Sequence, residues 1–465
     1  MGVFLVVIAD LIGLFFSYQL SYILRVYYFP RFLQFPEPLP LMIFNPYWLP
    51  VIFLIFFWYE GLYTRKLPLW EEVKQVWKGL FITSIAIFAI VSLGRLYSDI
   101  SRTVLVLMFL NALWIVPLVR LNSKKIIFSL GLLRSQVLII GAGMTGRLLL
   151  KSFNKEKNLA YNVIGFLDDD PAKKGARIEG VKVLGGLGEL DKYLTKDIEI
   201  ILAIPGLKPA RTVELVNILQ KKAKKVSFIP DLFGIPFFES DMNFFFDSRM
   251  LVLNVRNNLK NTYNKFIKSI FDAFLALPVF VVSLPLIFII ALAIKLESRG
   301  PVFFIQDRIG KDDKNFKCIK FRSMYLDSEA ILKKTLAKDA EGRAEWKKYC
   351  KLKSDPRVTR VGKILRRFSL DELPQIFNVL KGDMSIIGPR PYLNRETKSI
   401  GKYYSVITEV QPGITGLWQV SGRNKTSFEE RLVLDAWYIQ NWSLWLDITI
   451  LIKTIGVVLK REGAY

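Results

Sequence analysis

The sequence predicts an α+β membrane protein in three parts: a transmembrane helical bundle, an α/β domain, and a third domain seated on the membrane. Three observations carry that prediction. Four apolar blocks open the chain, at 2–24, 47–63, 79–98 and 103–120. A strand, glycine turn and helix pattern, QVLIIGAGMTGRLLL, begins at residue 136. A fifth apolar block, 270–294, contains Pro278 and Pro285 and leads into a basic segment with adjacent carboxylates.

Composition narrows the partners before any element is placed. With 465 residues, more than one domain is expected. The net charge is +24 and 52% of residues are hydrophobic, a balance that suits nucleic acid or an anionic membrane. The apolar residues decide for membrane lipids, because they come in membrane-length blocks. No nucleic-acid module is visible, so no nucleic-acid partner is expected. Histidine is absent, which excludes Ser-His-Asp and Cys-His nucleophile systems and His-ligated zinc. Cys318 and Cys350 are the only cysteines, too few for a disulfide framework or a Cys-rich metal site.

The four N-terminal blocks predict a four-helix transmembrane bundle over 1–125, since a span needs about 20 apolar residues. The second block is short, with Pro50 near its start. The first lacks the basic start and small-residue cleavage site of a signal peptide. The loop after the second block carries Arg65, Lys66, Lys74 and Lys78, and the exit from the fourth carries Arg120, Lys124, Lys125 and Arg134. The other two loops carry only Arg25 and Arg31, and Arg95 and Arg102. The positive-inside rule puts both ends of the bundle in the cytoplasm.

Residues 136–256 predict a Rossmann-like α/β domain. Gly141, Gly143 and Gly146 form a GxGxxG between strand and helix, and a second strand over 162–167 ends at Asp168. That acid spacing fits a dinucleotide fingerprint. Further strands are expected at 181–184, 198–204 and 225–229. NAD(P) or another nucleotide is a candidate ligand. The same glycines also serve simple helix–strand packing, so a structural or regulatory use is equally open.

The block at 270–294 is long enough to span. A fifth crossing, however, would carry everything after it outside. Pro278 and Pro285 each remove a helix hydrogen bond and clash with the preceding turn. Lys260, Lys265 and Lys268 precede the block, and Lys295 and Arg299 follow it, so both ends are expected at one face. A re-entrant helix–break–helix is therefore predicted. A β-hairpin is expected over 300–312 and a charged, solvated excursion over 326–350. Residues 427–460 read as amphipathic helices, with Trp437, Trp442 and Trp445 lying in the membrane interface.

The candidate chemistry lies in 368–391, FSLDELPQIFNVLKGDMSIIGPRP. Asp371 and Glu372 sit at a helix start. Taken alone, Ser369 and Glu372 have the spacing of a capping box, Ser369 at the N-cap and Glu372 three residues on. The surroundings point further. Pro389 and Pro391 fix the backbone around Arg390, whose planar fork suits phosphate oxygens. The basic run 351–367 includes Arg366, and KFRSM supplies Lys320 and Arg322. In a chain without histidine, a carboxylate must act as nucleophile or base, and one attacking phosphorus would form an acyl phosphate.

Residues 262–465 resemble the catalytic domain of bacterial sugar transferases, the monotopic polyprenyl-phosphate phosphoglycosyl transferases. The resemblance rests on KSIFDAF (268–274), GPVFFIQDRIG (300–310), KFRSM (320–324), DPRVTRVGKILRRFSLDELPQIFNVLKGDMSIIGPRP (355–391) and QPGITGLWQVSGRN (411–424). The whole-chain layout is similar to the large members. The resemblance implies transfer of a sugar 1-phosphate from a UDP-sugar to undecaprenyl phosphate, with release of UMP. It implies Asp371 as nucleophile, Glu372 as metal-positioning or proton-handling group, and Mg2+ held near both. Lys320, Arg322, Arg366 and Arg390 become phosphate ligands, and the helix break falls at Pro285. Leu284 departs from the Ser that many members place before that proline. Galactose or glucose is the expected sugar, and a homodimer is the base-rate expectation. Two other readings stay open at this level: an NAD(P)-dependent nucleotide-sugar epimerase or dehydratase on the α/β domain, and a non-enzymatic regulator of polysaccharide export.

Overall fold

The computed structural model describes residues 2–32, 48–94, 101–194, 198–223, 225–231, 241–245, 250–254, 258–339, 343, 346, 352, 355–422 and 426–460. They gather into two compact units, Met1–Phe233 and Gly234–Tyr465. The bundle and the α/β domain, read separately in the sequence, thus share one unit. The segment 234–256, expected with the α/β domain, falls in the other.

The first unit opens with α1 (Gly2–Ile23), α2 (Trp48–Tyr59), α3 (Leu69–Leu93) and α4 (Arg102–Ser129). α1, α3 and α4 are long and apolar enough to cross a membrane. The described part of the second block is not: α2 has 12 residues, about 18 Å of helix against about 30 Å of hydrocarbon. α1 packs mainly on α4. Polar groups are buried where the helices meet. Arg120 is fully buried; its Nε donates to Glu72 Oε1 at 2.7 Å, and its guanidinium also reaches Asp10 and the Leu62 carbonyl. Lys124 completes the set by donating to Glu72. Removing one partner from such a buried group costs about 3–5 kcal/mol, because the remaining charge is left uncompensated.

The α/β part follows. Its strands are β1 (Ser135–Ile140), β2 (Tyr161–Leu167), β3 (Arg177–Ile178), β4 (Val181–Gly185), β5 (Glu199–Leu202) and β6 (Lys225–Phe228). They form one sheet in the order β3-β4-β2-β1-β5-β6, parallel except for β3. The continuous apolar run of β1 is what a strand covered on both faces requires. Helices α5 (Met144–Lys155) and α6 (Pro209–Gln220) connect the strands. The expected strands and glycine turn are therefore present. Lys66 is 2.5 Å from Glu199, the Leu69 N–H donates to Glu156 at 3.1 Å, and Asn158 Nδ2 donates to the Leu67 carbonyl at 2.9 Å. These contacts tie the α/β part to the bundle.

The second unit begins with the hairpin β7 (Asp241–Phe245) and β8 (Met250–Asn254). Then comes α7 (Thr262–Glu297), 36 residues long. The expected break is absent: α7 is continuous through Pro278 and Pro285. Loss of two ladder hydrogen bonds does not end it, because one face is packed along its length. Asp272, Ala276, Ser283, Ile287, Ile290 and Ile294 are buried, while Phe274, Leu277, Val281, Leu284, Phe288 and Leu292 are exposed. Both ends are held by this unit. Near the start, Lys268 is 2.9 Å from Asp447 and Asp272 accepts from Ser385 Oγ at 2.7 Å. At the end, Glu297 accepts from the Arg360 and Val361 N–H groups at 2.6 and 2.9 Å.

Strands β9 (Phe303–Ile309) and β10 (Asn315–Phe321) form an antiparallel hairpin, longer than expected because it extends into KFRSM. Helix α8 (Ser328–Lys338) occupies the start of the charged excursion, whose remainder lies largely outside the described residues. Helix α9 (Arg360–Phe368), a 3-10 turn (Leu370–Gln375) and α10 (Ile376–Lys381) then lead to β11 (Ser385–Ile387). β11 pairs in parallel with β12 (Gly413–Thr415). Helices α11 (Phe428–Gln440) and α12 (Leu444–Lys460) close the core. The interfacial reading of the tryptophans does not hold for Trp442. It is 3% exposed, in the core, and its indole N–H donates to Asp447 at 3.0 Å. Trp437 packs partly buried on the same core.

Candidate functional site

The carboxylate pair is positioned by an abrupt change of helix type. α9 ends where Ser369 takes a left-handed conformation, φ 57°, and the chain then tightens into the 3-10 turn carrying Asp371 and Glu372. The capping box suggested by the sequence is not formed. Ser369 makes no side-chain cap bond, and Glu372 instead accepts from Lys320 Nζ at 2.6 Å. A 3-10 helix has three residues per turn, so neighbours point about 120° apart. Asp371 and Glu372 therefore face different surroundings.

Asp371 feels the positive charges of Lys320 on β10 and Arg366 on α9. Burial pushes its pKa up to about 6, the Glu372 charge adds to that, and Lys320 and Arg366 oppose it. The group is thus ionised at neutral pH yet only half-exposed to water, a state suited to attack on an electrophile. Arg366 donates through Nε to Ser323 Oγ at 3.0 Å.

Arg322 behaves otherwise. It is buried, and its two terminal nitrogens donate to the Arg299 carbonyl, the Ser298 carbonyl and Ser298 Oγ at 2.8–2.9 Å. A Cβ on Gly300, at φ +121°, would fall 2.2 Å from its Nη1. Arg322 therefore clamps the end of α7 to the hairpin. Among the sequence-predicted phosphate ligands it is the one the structure employs elsewhere.

Arg390 belongs to a group that sequence reasoning did not assemble. Its guanidinium carbon lies 5.7 Å from the ring centre of Trp418, and that of Arg431 lies 4.9 Å from the same ring. Arg308 on β9 joins them by donating to the Pro391 carbonyl at 3.0 Å. Arg390 repels both: with burial as the larger cause, its charge lowers the pKa of Arg308 and of Arg431. Arg308 Nε and Trp418 Nε1 are buried without a hydrogen-bond partner. Beneath the group, fully buried Asp435 on α11 accepts from the Arg390 N–H at 3.0 Å and from Tyr392 Oη at 2.9 Å. The available signals were an arginine inside QDRIG and the i, i+4 spacing of Arg431 and Asp435 on a helix.

For a divalent metal, no group of three or more Asp, Glu, Cys or His side chains comes together among the described residues. The Asp371–Glu372 pair fits the other common arrangement, in which one or two carboxylates and the substrate's own phosphates hold Mg2+.

The α/β domain has its own cavity, about 390 Å³, at the carboxyl ends of its strands. It is lined by Gly141, Gly143, Thr145, Asp168 and Lys173, among others. A Cβ on Gly146 would meet the Gly141 carbonyl at 2.1 Å, so this glycine serves helix–strand packing, whereas Gly143 opens onto free space. The cavity has room for a nucleotide phosphate. Asp168, the acid of the expected dinucleotide fingerprint, is already engaged by the Ala142 and Asp170 N–H groups at 2.8 and 3.0 Å and by Lys173 at 3.1 Å.

Comparison with known proteins matches residues 263–461 to the bacterial sugar transferase family and residues 60–230 to a CoA-binding domain. The chain is 38% identical to the UDP-galactose-lipid carrier transferase of Erwinia amylovora, over 90% of this chain and 87% of that protein. It is 36% identical to undecaprenyl-phosphate galactose phosphotransferase of Salmonella typhimurium, over 98% and 96%. It is 33% identical to the UDP-glucose:undecaprenyl-phosphate glucose-1-phosphate transferase of Escherichia coli, over 71% and 69%. The chain belongs to the bacterial sugar transferase family and is a phosphoglycosyl transferase.

Proposed function

We propose that the enzyme transfers galactose 1-phosphate from UDP-galactose to undecaprenyl phosphate, with Asp371 as a covalent nucleophile. The observation that carries this reading is the half-buried Asp371 carboxylate, pushed up by burial and acted on by the charges of Lys320 and Arg366. Galactose is favoured because two relatives similar over 90% and 98% of the chain are named for it, whereas relatives named for glucose are similar over 71% of the chain.

In the first step an Asp371 oxygen attacks the sugar-bearing phosphorus. The bond to the bridging oxygen breaks, UMP departs with that oxygen, and a sugar-phosphoryl aspartate remains. In the second step a phosphate oxygen of the lipid attacks the same phosphorus. The acyl phosphate bond breaks, the Asp371 carboxylate is regenerated, and undecaprenyl diphosphogalactose leaves. Lys320 and Arg366 hold the reacting phosphoryl oxygens, and Arg390 takes the neighbouring phosphate. Glu372 keeps Lys320 oriented. Mg2+, held by Asp371 or Glu372 with the substrate diphosphate, would neutralise charge on the departing UMP. The product would be the first lipid-linked intermediate of a surface polysaccharide.

The same reading places the third domain on the cytoplasmic face, with the unbroken α7 lying against the membrane so that both of its ends stay on that side. Support comes from the docking of both ends of α7 on one compact unit, and from the basic flanks. The α/β domain is read as structural or regulatory, with no part in the chemistry.

The test is intact-protein mass spectrometry after incubation with UDP-galactose and Mg2+ alone. Wild type should gain the mass of a hexose phosphate and release UMP in an amount limited by enzyme. Asp371→Asn should do neither. If wild type releases UMP only when lipid is also present, transfer is direct between bound substrates.

A further inference from the structure

The turn that carries Arg390 is held from below by buried groups. Asp272 on α7 accepts from the Ile386 N–H at 3.2 Å, Tyr438 Oη donates to the Ile387 carbonyl at 3.1 Å, and Asp435 accepts from the Arg390 N–H. Of these groups, only Asp435 is a negative charge set directly under the cationic group around Trp418. Its Oδ2 takes both donors, Arg390 N–H and Tyr392 Oη, while Oδ1 is buried without a partner.

We infer that Asp435 is a positioning residue for the phosphate-binding arginine: it fixes the Arg390 peptide and sets the net charge of the Arg308–Arg390–Arg431 group, so that its ionisation weakens the hold on a nucleoside diphosphate sugar. The inference rests on Arg390 being a phosphate ligand. Two arginines on one indole, with Arg308 coupled to Arg390 beside them, make an anion subsite whose strength depends on what neutralises it. With Asp435 protonated the group carries three positive charges; with Asp435 ionised, two. A neutral carboxyl can still accept both hydrogen bonds, so the geometry survives while the field changes.

The surroundings set where that change occurs. Arg390 and Arg431 face Asp435 directly and favour its ionised form, as does the Tyr392 hydroxyl. Arg308 and Glu396 lie one step further, coupled through Arg390, Arg431 and Tyr392. Across Tyr438 stand Asp447 on α12 and Asp272 on α7, both near Lys268. Burial outweighs the favourable partners and pushes Asp435 up to about 7. The subsite therefore weakens within the neutral range.

The experiment measures equilibrium binding of UDP-galactose to full-length Asp371→Asn protein in lipid nanodiscs, from pH 5.5 to 8.5. That substitution stops turnover and removes Asp371's own titration. UDP-galactose is a diphosphate diester, so its charge is constant across the range. Affinity should fall about three- to tenfold as pH rises, the effect expected for one added charge near an anion in a partly screened site. Adding Asp435→Asn, which keeps a carbonyl oxygen for both donors, should leave affinity at its low-pH level throughout. Adding Tyr392→Phe instead removes one donor to the carboxylate, so the fall should move to higher pH; this milder variant also serves should the Asn variant fold poorly. An unchanged pH dependence in both variants overturns the inference, as does loss of affinity at every pH in folded Asp435→Asn. The site reading itself has a separate control: Arg390→Gln in the same background must weaken binding, and unchanged affinity there sinks the phosphate role of Arg390 whatever Asp435 does.

Discussion

Glu372→Gln should move the pH dependence of the covalent step downward. In the wild type the pKa of Asp371 stands at about 6, raised first by burial and then by the Glu372 charge. The substitution removes that second cause. It also frees Lys320, 2.6 Å from Glu372, from its ion pair, so that its charge acts more fully on Asp371. Both changes favour the ionised nucleophile, and together they are worth about one pK unit, or about 1.4 kcal/mol. At pH 5 a group of pKa about 6 is roughly 10% ionised, and one of pKa about 5 roughly half, so the reactive fraction should rise about fivefold there. Above pH 7 both proteins are ionised and no such gain is expected. The absolute rate should still fall, because Lys320 loses its orienting partner, so the position of the inflection is the readout. The assay is rapid-quench measurement of the UMP burst from saturating UDP-galactose without lipid, between pH 4.5 and 8. Saturation removes any contribution from substrate affinity, including that of Asp435. An inflection that stays near 6, or moves up, would refute the assignment of Asp371 as the titrating nucleophile and of Glu372 as the charge that tunes it.

Three further outcomes separate the roles of the remaining residues. Arg322→Ala should destabilise the protein by about 1–3 kcal/mol, seen as a lowered Tm, since it removes a buried side chain together with its bonds to two part-buried carbonyls and a hydroxyl; Arg366→Gln should instead raise KM or lower kcat with Tm nearly unchanged. Single cysteines replacing Lys260 and Arg299, in a chain lacking Cys318 and Cys350, should both be protected from a membrane-impermeant thiol reagent in intact cells; labelling of only one would mean that α7 crosses. Gly143→Ala should leave UMP release largely unchanged, since nothing lies within 4 Å of the added methyl group; loss of turnover in the folded variant would give the α/β cavity a part in the reaction.

What could be read from the sequence was what is local. The GxGxxG turn, the strands around it and the order of apolar blocks follow from spacing and periodicity within about 20 residues, and the structure contains them. The capping box failed for a local reason as well: Ser369 sits in the left-handed region that ends α9, so its side chain cannot serve the next turn. Non-local partnerships were hidden. KFRSM reads as two equivalent cations two residues apart. In the structure Lys320 meets Glu372, 52 residues later, while Arg322 reaches back to Ser298. Charge alone does not distinguish them; the partners do. Trp442 is likewise an interfacial residue by composition and a core residue by contact, because Asp447 five positions on supplies the acceptor that its indole needs in the interior.

The proline-containing helix shows why the distinction matters for mechanism. From sequence, two prolines inside an apolar block argue for interruption, since each costs a hydrogen bond. That cost competes with burial, and α7 packs one face along its whole length. At about 25 cal/mol per Å² of apolar surface, a few buried Ile and Ala side chains offset a missing bond. The anchors at its two ends therefore bear on its placement more than the prolines do. Asp272 is bound to β11, which leads into the Arg390 turn, and Glu297 is bound to the start of α9, which leads into Asp371. Helix α7 thus holds both halves of the candidate site at once, the proposed nucleophile from one end and the proposed phosphate-binding turn from the other. Acceptor lipid meeting the exposed face of α7 would then lie beside a site whose two halves that same helix keeps in register.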